Sequence, residues 1–105
     1  MTEPLDDIHR LDAGDRIRIQ VGAPSAEVSG EHTGVVGSIL DDGLVVDLDE
    51  KVRLSNSVTG TIEIKYLPHI DDAGPVITKN GAVHQAHVHW IERIDEASAE
   101  RVYEE

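Results

Sequence analysis

The most regular stretch of the chain is Arg16-Ile17-Arg18-Ile19-Gln20-Val21, where polar and apolar residues strictly alternate. Successive side chains of a strand point to opposite faces, so Ile17, Ile19 and Val21 share one face and Arg16, Arg18 and Gln20 the other. Similar runs recur at 34–40 and 44–48, the latter with Leu44, Val46 and Leu48 on one face. A fourth, within 57–67, alternates Ile62, Ile64 and Tyr66 with Thr61, Glu63 and Lys65. Val76-Ile77-Thr78 and the run from Ala82 to Trp90 complete the set. Turn chemistry separates them. Asp41-Asp42-Gly43 predicts a tight hairpin in which Gly43 supplies a positive φ, and Asn80-Gly81 predicts a second. The stretches 22–32, 49–56 and 68–75, rich in Gly, Pro, Ser, Asn and charge, are predicted loops.

Both ends read differently. Leu5, Ile8 and Leu11 are three apart, which predicts a short helix with Thr2 as its N-cap. At the other end, residues 95–103 predict a second short helix, with Asp95 as N-cap and Glu96 against the positive end of the helix dipole. The sequence therefore predicts a mainly β fold, a small barrel of about six strands with short terminal helices. A barrel is favoured because closure removes the unpaired edges that invite aggregation. Trp90, the single tryptophan, alternates with Val88, and that places it in the core as the core aromatic.

Charge changes the picture more than any other bulk property. Asp and Glu number 21 against 9 Lys and Arg, a net charge of -12, and phenylalanine is absent. Only Lys51, Lys65 and Lys79 are lysines. Acid excess with scarce lysine and small apolar residues suits a salt-rich interior, where a Debye length of about 3 Å in molar salt screens carboxylate repulsion. The length of 105 residues fits one domain. Cysteine is absent, which excludes disulfides, thiol nucleophiles and Cys-based zinc sites. No apolar run approaches the roughly 20 residues of a membrane span. The acidic start, Met1 to Asp7, lacks the basic and apolar regions of a secretory signal, so the expected location is cytoplasmic or a virion assembled inside a cell.

Three segments together resemble a known barrel type. Gly14-Asp15-Arg16-Ile17-Arg18-Ile19, then Gly34-Val35-Val36 before a hairpin, then Trp90-Ile91-Glu92-Arg93-Ile94, resemble small SH3-like barrels, including KOW-type domains and short haloarchaeal proteins. The resemblance covers 12–94 and implies an SH3-like barrel there, with 55–81 as an insertion that adds strands. Residues 1–11 and 95–105 then form the N-terminal extension and the C-terminal tail. KOW-type domains often bind RNA, and related barrels serve as ring-forming connectors between viral heads and tails.

Candidate chemistry is sparse. His84-Gln85-Ala86-His87-Val88-His89 is the densest cluster. On a strand, His87 and His89 share a face and His84 takes the other. Two imidazoles could hold a transition metal if His69, Asp71 or Asp72 supplied a third ligand, and histidine titration near neutrality is a second use. The same histidines could equally sit on a solvated face beside carboxylates. Arg16 and Arg18 form the one cationic stripe, a weak candidate for phosphate because backbone recognition needs clustered Lys and Arg. Asp6-Asp7, Asp41-Asp42 and Asp71-Asp72 do not fit the calcium loop of an EF-hand. Nucleophile-elbow, zinc-protease and phosphate-loop motifs are missing, so the expectation is no enzyme and no cofactor beyond that metal. The expected role is a non-catalytic structural or protein-interaction subunit. It would self-associate, with a virion component of a halophilic system as one form. A KOW-like nucleic-acid-associated factor is the alternative.

Overall fold

The computed structural model describes residues 4–22, 29–54, 57–69, 74–79 and 82–105, the side chains of 54, 57 and 82–85 excepted. One short helix, α1 (Pro4–Ile8), precedes seven strands: β1 (Arg16–Gly22), β2 (Gly30–Leu40), β3 (Gly43–Leu54), β4 (Ser57–Lys65), β5 (Val76–Lys79), β6 (Ala82–Ile94) and β7 (Ala99–Glu104). Neighbours in sequence are neighbours in the sheet, every pairing is antiparallel, and β1 also pairs with β6. The first six strands thus close into a barrel. β7 lies outside the closed ring, paired only with β6.

The alternation read from the sequence becomes the barrel wall. Ile17, Ile19 and Val21 of β1, Leu44 and Val46 of β3, and Ile62 and Ile64 of β4 are all buried in one cluster with Ile77, Ala86, Val88 and Ile91. Leu48 packs against it, partly buried. Helix α1 closes one barrel end. Its Ile8 and the following Leu11 join the core, and His9 donates through Nε2 to the Leu40 carbonyl at 2.8 Å. No helix among the described residues is long and apolar enough to cross a membrane.

Three expectations need correction. The C-terminal segment is a strand, not a helix. The Asp95 carboxylate does accept from Ala97 N (2.9 Å) and Ser98 N (2.8 Å), as an N-cap would. The same bonds close a tight turn, and Asp95 N donates to Ser98 O across it. The chain then runs back along β6 because Val102 and Tyr103 can be buried there. Second, the described part of the expected loop 49–56, residues 49–54, belongs to β3. β3 carries a wide bulge in which residues 48–51 stand opposite Gly60, and pairing resumes at Val52, which is buried. The charged bulge hid the strand. Third, Gly43 has no positive φ, unlike Gly14 and Gly30. The two-residue turn is Asp41-Asp42, with Leu40 facing Gly43. Glycine is required because a Cβ there would sit 1.8 Å from the Ile64 carbonyl oxygen.

Residues 55–81, expected as an insertion, supply β4 and β5, two walls of the closed barrel. Lys79 pairs with Ala82, the spacing of a two-residue hairpin. The expected turn residues Asn80 and Gly81 lie outside the described residues, as do Thr2 and the loop stretches 23–28 and 70–73.

Candidate functional site

Trp90 owes its position to one extra residue. Along β1 and β6, Ile19 faces Ile91 and Gln20 faces Trp90, but the next residue, Val21, faces Val88. His89 is therefore bulged out of the ladder. A bulge reverses the inward–outward order of everything beyond it. Val88 points inward, and so does Ile91, three residues on rather than two. Trp90, expected in the core, is half-buried on the outer face instead and is absent from the core cluster.

What surrounds Trp90 follows from the registers. Two rows cross three strands on this face: Gln20, Trp90 and Glu104, then Arg18, Glu92 and Arg101. The Arg101 guanidinium lies over the indole, 4.4 Å from the ring centroid. A cation there is attracted by the negative ring face. Arg101 also donates through Nε (3.3 Å) and Nη2 (3.2 Å) to Glu92 Oε2, and it pairs with Glu104. Arg18 reaches the other Glu92 oxygen from β1 through Nε (3.2 Å) and Nη2 (3.1 Å). Burial alone would push the Glu92 carboxyl up, but the hydrogen bonds from Arg18 and Arg101 outweigh it and hold it below its ordinary value.

The remaining arginine of the stripe is also engaged. Arg16 forks onto Asp49, which the β3 bulge carries over to β1 and which also accepts from Thr33 Oγ1 at 2.7 Å. The hydrogen bond from Arg16, then that from Thr33, holds the Asp49 carboxyl low. A phosphate would have to displace a carboxylate to reach either Arg16 or Arg18. Beside them a cleft of about 390 Å³ is lined by Arg18, Glu31, His32, Thr33, Asp49 and Glu50. Its acid excess is a poor match for an anion.

Among the described residues the histidines do not form a ligand set. His87 stands opposite Gly22 and Val76. The His89 ring lies against Gly22, where its Nε2 would be 2.1 Å from any Cβ, and its Nδ1 binds the Glu105 carboxylate. Glu105 N in turn donates to the His89 carbonyl at 3.0 Å, so the bulge and the last residue fasten each other. His69 is exposed just after β4; the side chain of His84 and both Asp71 and Asp72 are outside what is described. Among the described residues no group of three or more His, Asp or Glu is arranged to hold a metal ion.

The Arg101–Trp90 pair was missed because alternation assumes an unbroken ladder. The one available signal was that Val88 and Ile91 are both apolar and three apart within a strand. No family model matches this chain, and no curated protein and no solved structure does either.

Proposed function

We propose that the protein is a non-catalytic assembly subunit built on an SH3-like barrel, working through contact with other proteins, copies of itself included. The observation that carries this reading is the outward Trp90 capped by Arg101 on the wall of a closed barrel. Tryptophan and arginine are the side chains most enriched at the energetic centres of interfaces, and a barrel wall holds them rigidly. The acid excess supports a salt-rich setting, and a virion ring is one form such a subunit takes. The engaged state of Arg16 and Arg18 weighs against the KOW-like nucleic-acid role.

Sedimentation equilibrium of the full chain in molar potassium chloride tests the reading. It predicts a discrete multimer there that dissociates or unfolds in dilute buffer, as 21 acids against 9 Lys and Arg lose their screening. A folded monomer in both buffers contradicts it.

A further inference from the structure

We draw no further inference here: the strongest candidate, the outer face of β1, β6 and β7 on which Arg101 lies over the half-buried Trp90, carries nothing because nothing in the structure shows what covers it.

Discussion

Gly43→Ala lowers the stability of the barrel by about 3 kcal/mol, since overpacking against a fixed neighbour costs this much, and drops the melting temperature by roughly 15 °C. The new methyl would lie 1.8 Å from the Ile64 carbonyl oxygen and 2.8 Å from Lys65 Cα. These are backbone atoms of β4, paired to β3 on this side. They can move away only by stretching the ladder that holds Leu44 and Ile64, both completely buried. Gly60→Ala is the control. Its methyl would meet only Lys51 Cγ at 3.7 Å, an ordinary contact, so its effect stays within about 0.5 kcal/mol. Thermal unfolding in molar potassium chloride, followed by far-ultraviolet circular dichroism, compares the two. Equal melting temperatures would mean that β3 and β4 do not approach each other as described.

Glu92→Ala has the second largest effect. The Glu92 side chain is 14% exposed and accepts from two arginines, Arg18 on β1 and Arg101 on β7. Hydrogen bonds to charged groups are each worth about 1.5–3 kcal/mol when well buried. Here the arginine side chains are 39% and 37% exposed, and solvent screening brings the expected loss to about 2 kcal/mol for both together. The acid limb of the stability curve carries a second signature. The folded state holds Glu92 below its ordinary value, by its arginine bonds against the opposing effect of burial. Its contribution is therefore complete above about pH 4.5, the ordinary glutamate range, and is lost as pH falls through the folded value, where the unfolded chain binds more protons. Asp49 and Asp95, also held low, act in the same direction. Urea unfolding across the acid range should show a shallower fall in stability for Glu92→Ala than for the parent. Parallel curves would mean that Glu92 is not held between the arginines.

Much of the architecture was legible from alternation alone. The pattern at Ile17, Ile19 and Val21, and again at Ile62 and Ile64, gave the buried faces of β1 and β4 because those strands run unbroken through the positions concerned. The expectations failed where backbone irregularity intervenes. At 48–51 a run of charge in a bulge concealed the continuation of β3. At Asp95 a capping side chain served a turn in place of a helix, and the burial of Val102 and Tyr103 decided the outcome. A side chain two residues from a buried one is expected to be buried too; the extra His89 breaks that rule at Trp90. The candidate site lies at this last failure. Of the histidines that drew attention by type, His89 is engaged locally by Gly22 and Glu105. Arg18 was placed on the correct face, but its partner Glu92 sits 74 positions away and is brought to it only by barrel closure.

The bulge at His89 is the central structural claim, because both the presentation of Trp90 and the proposed contact depend on it. Cross-strand proton contacts measured by nuclear magnetic resonance on the full chain in molar potassium chloride test it directly. The account predicts contacts of Gln20 with Trp90 and of Val21 with Val88, with His89 opposite no residue of β1. An unbroken ladder that keeps Val21 opposite Val88, and therefore sets Gln20 opposite His89 and Ile19 opposite Trp90, would return Trp90 to the barrel interior, contradicting the bulge.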